Sequence, residues 1–373
     1  MNIGNCYIFL LILTKSFMQT LLKKIFCVGI LLIQTGVIHA AVVIQYHHVD
    51  EHTPASTSVM PERFAEHMAY LANNGFKVWP LPRLVKALQQ AETIPDKVIA
   101  ITFDDGYQSV YRQALPVLQR YHYPFTVFIN PELVGGSGYM NWDELRVLAK
   151  QAGTIANHTA SHPHLIRFLP NETGAQWQLR IQHEITDAEK IIQKKIGYTP
   201  GLLAYPYGEY DHRVEQIVRS LGLVAFAQNS AAFDQSVNWQ AIPRFAFGGR
   251  YTEMKGFIDK VNSLPMPLVD AYVSDERGQR LSEPLLPINM SRPIVTLQLK
   301  TRVVAQAIHC FASGQGKIVV QRHGNSISTQ PTLDLPVGRS RINCTAASGQ
   351  PGRFYWYSEF FMRKQPDDSW YKE

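Results

Sequence analysis

From residue 41 to about residue 262, short apolar runs alternate with longer stretches in which apolar side chains recur every three or four positions. The short runs at 42–46, 98–103, 125–129, 154–156, 202–205, 223–227 and 242–245 predict strands. Between them, 61–73, 108–121, 142–151, 176–194 and 212–221 carry the helical period. Strands that are apolar almost throughout belong to a parallel sheet covered on both faces. Seven such units predict an α/β fold whose sheet is a closed or nearly closed barrel. The pattern changes after residue 262. Residues 263–293 are rich in Pro and Ser, show little periodicity and read as a linker. Beyond them, 294–299, 303–309, 317–321, 340–343 and 353–361 are β-like runs separated by Gly, Ser and Pro turns. They predict an all-β domain over 294–373, an immunoglobulin-like sandwich.

The first forty residues follow neither pattern. They hold no Asp or Glu, and from Met18, the expected true start, they read as an export signal. Lys23 and Lys24 open it, residues 25–38 form its apolar core, and Val37-Ile38-His39-Ala40 is a small-residue exit. The apolar run of about fourteen residues is short of the roughly 20 that a spanning helix needs. Residues 1–40 are therefore read as a cleaved signal peptide, with the mature chain periplasmic or extracellular. A membrane is met only through that segment while it remains uncleaved. Of 36 Lys and Arg against 30 Asp and Glu, the leader takes Lys15, Lys23 and Lys24, leaving 33 to 30, a net charge of +3. So small and scattered an excess gives no footprint for nucleic acid. Cleavage also removes Cys6 and Cys27; Cys310 and Cys344 remain, an even pair in an exported chain, and a disulfide between them is expected.

Parallel α/β folds place their active sites at the carboxyl ends of the strands. His47 follows the first predicted strand, Asp104 and Asp105 the second, His158 the fourth and Tyr205-Pro206-Tyr207-Gly208 the fifth; Arg244 sits near the end of the seventh. The polar candidates thus gather at one end of the sheet. His158 and His162 lie in a polar loop with Asn157, Thr159 and Ser161. With Asp105 they make a two-His, one-carboxylate set suited to a divalent metal, zinc first, with cobalt or nickel as alternatives. Adjacent carboxylates are poorly placed to flank a glycosidic bond, which requires roughly 5–9.5 Å between them. One Asp on the metal and the other free to take a proton is the better division of labour.

These residues resemble a known family. Thr102-Phe103-Asp104-Asp105-Gly106, His158-Thr159-Ala160-Ser161-His162 and Tyr205-Pro206-Tyr207-Gly208 look like the first three motifs of the polysaccharide deacetylases (the NodB-homology family, carbohydrate esterase family four). The resemblance spans about residues 41–262. It implies a distorted barrel of seven or eight β/α units and a metal-dependent hydrolase that removes acetyl groups from N-acetylated polysaccharide. It makes Asp104 the general base, makes Asp105, His158 and His162 the metal ligands, and gives the Tyr207 backbone N–H to the oxyanion. The Arg that often precedes the third motif is absent, with Leu203 and Ala204 in its place, and Arg244 is the candidate to orient Asp104 instead. No late Leu-x-His motif supplies a general acid. Tyr46-His47-His48-Val49 is similar to the branch that includes biofilm poly-N-acetylglucosamine deacetylases, whose catalytic His comes early. His47 is then the acid, with His48 the alternative. Trp79, Tyr107, Trp142, Tyr205 and Tyr210 are candidates for stacking on sugars, whereas Arg353-Phe354-Tyr355-Trp356-Tyr357 reads as a sandwich core strand. Two other readings keep the barrel: a metal hydrolase of another amide or of an O-acetyl ester, and a non-catalytic carbohydrate-binding or assembly protein. The latter leaves Asp104 without a purpose, because a binding module needs no base.

Overall fold

The computed structural model describes residues 40–372; the leader expected on residues 1–40 lies outside them except for Ala40. Seven strands run across a parallel sheet in chain order: β1 (Ala41–Tyr46), β2 (Val98–Phe103), β3 (Phe125–Ile129), β4 (Gly153–Asn157), β5 (Leu202–Ala204), β6 (Val224–Phe226) and β7 (Phe245–Ala246), the last returning beside β1. Lys77–Val78 adds an eighth strand against the start of β2. Ile242 bridges to Phe226 of β6, and Phe245 pairs with Ile44 of β1. One short segment therefore touches both edges of the sheet. A continuous strand was expected over 242–245; Pro243 has no N–H to give a ladder, and the run divides into a single bridge and a two-residue strand.

Strand parity decides what each face carries. On β2, Ile99, Ile101 and Phe103 join a core cluster under the helices α1 (Pro61–Asn73), α3 (Leu115–Arg120) and α4 (Trp142–Lys150). Val98 and Ala100 point the other way, into a cluster with Val43, Phe128, Ala156, Ala204 and Phe226. Helix α2 (Leu81–Gln89), which the periodicity did not single out, adds Leu81, Leu84, Val85 and Leu88 to that second cluster. The same parity carries Thr102 and Asp104 into the sheet's inner face, opposite Gln45 of β1. The helix expected over 108–121 is a π-turn (Val110–Ala114) running into α3, and Pro116, without an N–H, sits at the change of pitch. Helices α5 (Gly174–Ile196) and α6 (His212–Ser220) cover β5 and β6, and α7 (Met254–Val261) ends the α/β region.

The rest of the chain is β-rich. Its strands are β8 (Leu264–Pro265), β9 (Leu268–Ser274), β10 (Arg280–Leu281), β11 (Ile294–Leu299), β12 (His309–Ala312), β13 (Gly316–Ile318), β14 (Val320–His323), β15 (Ser326–Thr329), β16 (Gly338–Ala347) and β17 (Phe354–Arg363). They form two five-stranded sheets, ordered β8-β17-β16-β12-β13 and β10-β9-β11-β15-β14, around one apolar cluster that contains the Cys310–Cys344 disulfide. Two expectations need correction. Residues 263–293 are not a linker: β9 lies inside a sheet, and its neighbouring prolines obscured the run 268–274. Residues 303–309 are not one strand: Thr301 caps a short helix α8 (Arg302–Ala307) by accepting the Val304 N–H, and the β-branched pair Val303-Val304 had suggested extended chain. Phe360 and Met362 of β17 pack with Leu203, Tyr205 and Ile217, so the β-rich region shares a core with the α/β sheet.

Candidate metal and acid–base site

The strand ends meet as the parity argument requires. Asp104 is fully buried and both its oxygens are held by Arg244, Nη1 to Oδ1 at 2.7 Å and Nη2 to Oδ2 at 2.8 Å; Gln45 Nε2 donates to Oδ2 at 2.5 Å. Arg244 is itself fixed by donating Nε–H to the Ala227 carbonyl at 3.1 Å. Burial alone would push the Asp104 carboxyl up, but the Arg244 guanidinium outweighs it and holds the group ionised below its ordinary range. A planar guanidinium clamping both carboxylate oxygens also fixes the plane of the Asp104 side chain.

Asp105 faces elsewhere. Its φ is +68° and that of Gly106 is +75°, so the chain leaves β2 through two left-handed residues that turn the second carboxylate away from the first. Gly106 is required twice over, because a Cβ there would stand 3.0 Å from Ile129 Cγ2. Asp105 Oδ1 lies 3.2 Å from His158 Nε2 and 3.3 Å from His162 Nε2. Oδ1 is buried and accepts no hydrogen bond. One ligand atom from each residue falls within 4.8 Å of the other two. An orphaned carboxylate oxygen facing two ring nitrogens fits a divalent cation between them, and the donor set suits zinc.

The surroundings support that reading. His158 Nδ1 donates to the Ala204 carbonyl at 2.8 Å, which leaves Nε2 with its lone pair toward the centre. Burial lowers the basicity of His158, yet Asp105 and Asp104 outweigh it and raise its affinity for a proton. Two carboxylates thus call for a positive charge at this point, which a cation supplies as well as a proton. His162 is pushed down to about 4 by burial and by neighbouring His158, so it is a neutral ligand at pH 7. Asn130 holds the loop from beneath through the carbonyls of His158 and Thr159, and Thr159 N–H donates to Asn157 Oδ1 at 2.7 Å. His162 itself has φ +63° and Thr159 +71°, conformations that such bonds are needed to maintain.

His47, half-buried at the end of β1, is close enough to act electrostatically on Asp104, Asp105 and His162. His48, within electrostatic range of His47 and Asp105 as well, stacks on Tyr107 at 3.6 Å between ring centroids. Tyr107 in turn stacks on Tyr139 and lies beside Asp105, whose charge adds to burial in raising the phenol. Tyr207 has φ +59° and ψ 2° within the turn Pro206–Gly208. Its ring meets His162 edge-on at 4.5 Å and stacks on His164 at 4.0 Å.

The remaining aromatic candidates go to packing. Tyr205 is fully buried and donates its hydroxyl to the Gln240 carbonyl at 2.7 Å; Tyr210 is sandwiched between Tyr205 and Phe360. Trp142 opens α4 and packs against the core beneath Lys195, and Trp79 packs against the second cluster beneath Arg83. A strand-end position in sequence did not separate an aromatic at the site from one in the wall behind it. Gln45, Asn130, His164 and Glu209 were missed. Gln45 was the most legible of these, an amide in an otherwise apolar strand.

Residues 91–226 match the family model for polysaccharide deacetylase. The poly-β-1,6-N-acetyl-D-glucosamine N-deacetylase of Escherichia coli is 24% identical over 64% of this chain and 42% of its own. Its counterpart of the same description from Staphylococcus epidermidis is 24% identical over 59% of this chain and 84% of its own. The match spans 61% of the length of a Bacillus subtilis protein and 42% of that of the Escherichia coli one. Among solved structures, a de-N-acetylase from Aggregatibacter actinomycetemcomitans superposes with a TM-score of 0.53 at 18% identity, over 58% of this chain and 99% of that one. That likeness concerns the fold.

Proposed function

We propose that this chain, whose residues 91–226 match the polysaccharide deacetylase model, is an exported, metal-dependent N-deacetylase of amino-sugar polysaccharide. The observation that carries the reading is the orphaned Asp105 oxygen facing His158 and His162, next to a second carboxylate kept ionised by Arg244. A divalent metal held by Asp105, His158 and His162 would lower the pKa of a water and polarise the acetyl carbonyl. In this reading Asp104 takes a proton from the attacking water, and its clamped orientation keeps one geometry for that transfer. The Tyr207 backbone N–H donates to the oxyanion of the tetrahedral intermediate. His47, protonated, delivers its proton to the departing sugar nitrogen, which leaves poorly as an anion. In this reading Tyr107, beside Asp105, is the aromatic candidate to contact the sugar. We assign the two regions to a distorted (β/α)7-type barrel and an immunoglobulin-like accessory domain, and the site of action to the periplasm or the exterior.

The test is acetate release from chitooligosaccharides, β-1,6-linked N-acetylglucosamine oligomers and acetylxylan, with zinc-loaded and chelator-stripped protein. Release from an N-acetylated glycan that chelation abolishes and zinc restores is the expected result. Release from acetylxylan alone would move the substrate to an O-acetyl ester. No release from any glycan at full metal occupancy would overturn the enzymatic reading.

A further inference from the structure

Glu209 is fully buried directly after the Pro206-Tyr207-Gly208 turn, and the acid–base scheme above does not use it. Three segments converge on its carboxylate. His164, from the loop that carries His162, lies 2.7 Å away through Nδ1, and Arg167 from the same loop lies at 3.7 Å. From the β-rich region, Arg339 of β16 donates at 3.3 Å and the Tyr371 hydroxyl donates to Oε1. Burial opposes ionisation here, and hydrogen bonds from His164 and Tyr371, with Arg339 nearby, hold the carboxyl below its ordinary range.

Tyr207 and Gly208 both have positive φ, at 59° and 68°. A non-glycine residue held in that region is strained and persists only where its surroundings over-determine it. The surroundings are specific. The His164 ring lies flat against the Tyr207 ring, and the Arg339 guanidinium sits over that same Tyr207 ring at 5.2 Å. The Arg167 guanidinium packs against Trp370 at 4.8 Å and Tyr371 at 4.7 Å, which secures the segment that brings the Tyr371 hydroxyl in.

We propose that Arg339 and Tyr371 are positioning residues for the deacetylase site: through Glu209 and His164 they hold Tyr207 in its left-handed conformation, so the β-rich region completes the catalytic turn of the α/β region. The kinetic part of this inference rests on the deacetylase reading; the conformational part does not. Neither residue touches the reacting atoms, so their removal acts on geometry and leaves the metal set of Asp105, His158 and His162 whole.

Tyr371→Phe removes one hydroxyl and keeps the ring, and Arg339→Ala is paired with Arg339→Lys. Each variant is measured for bound zinc, for kcat and KM on an N-acetylglucosamine oligomer, and for amide hydrogen exchange in the peptide covering residues 203–212. The expected result for Tyr371→Phe is full zinc content, a kcat lower by about ten-fold with KM little changed, and faster exchange in that peptide. Arg339→Lys should recover part of what Arg339→Ala loses. Unchanged exchange in 203–212 for both Tyr371→Phe and Arg339→Ala would overturn the proposal, as would a kcat loss that appears only with loss of zinc. If the parent protein released no acetate, the deacetylase reading would fall, and faster exchange in the variants would still establish the coupling.

Discussion

At the scale of single residues, two adjacent aspartates differ because their backbones differ. Asp104 continues the strand and meets a guanidinium; Asp105 leaves through a left-handed residue and meets two imidazoles. Asp104→Asn should therefore keep bound zinc and lower acetate release by about 10²–10⁴-fold, while His158→Ala should lose the metal, both read by metal analysis beside the assay. Near-parental turnover by Asp104→Asn would remove it from the role of base. Arg244 is the partner of a fully buried charge, and replacing it by Met should destabilise the fold by about 3–5 kcal/mol in urea unfolding. Arg244→Lys, which keeps a cation but loses the two-point clamp, should cost less stability than it costs in kcat. The sequence exposed the types and order of these residues, because strand ends are easily read from apolar runs. It did not expose the clamp itself, since a pairing across 140 residues has no local signature.

At the scale of elements, the turns carry more of the chemistry than the strands do. Gly208 has φ +68°, and a Cβ there would stand 2.7 Å from Gln228 Cβ. Gly208→Ala is expected to destabilise the protein by about 1–3 kcal/mol and to lower kcat, since the turn that orients Tyr207 has to shift; thermal unfolding and the acetate assay read the two effects. An unaltered melting temperature would mean that the turn relaxes at no cost. Strands and amphipathic helices were largely legible, because burial on one or both faces writes a period into the chain. Helix α2 was not, and neither was α8, where a single threonine cap sets the structure of six residues. Strand β9 was hidden by the prolines around it, although its own residues pair with β11 along their length.

At the scale of the whole molecule, packing between segments far apart in the chain sets how the protein responds to pH and to truncation. His67 of α1 is completely buried, with Nε2 donating to the Thr252 carbonyl at 2.8 Å, Nδ1 accepting from the Tyr46 hydroxyl at 2.9 Å, and its ring stacked on Phe257. Burial holds its pKa down to about 4, against 6.5 for the free side chain. The unfolded chain therefore binds the proton first as pH falls. The contribution of neutral His67 is complete above about pH 6.5 and shrinks between there and about pH 4, by roughly 3 kcal/mol in all. Urea unfolding at pH 4.5 and 7.5 should show that loss in the parent and a smaller one in His67→Gln; equal losses would assign the acid sensitivity elsewhere. Phe360 and Met362 share a core with Leu203 and Tyr205, so a chain cut after residue 262 should expose that face and self-associate more than the full chain in size-exclusion chromatography. None of this was legible, because a sequence shows that a β-rich region is apolar on one side but not which neighbour covers it. The segment that touches both sheet edges has a further consequence, in time. Asp104 is made long before Arg244, and its charge has no place in an apolar interior until that segment arrives. A chain emerging from its amino end therefore has Asp104 without its guanidinium clamp until residue 244 has been made, and the site is assembled late.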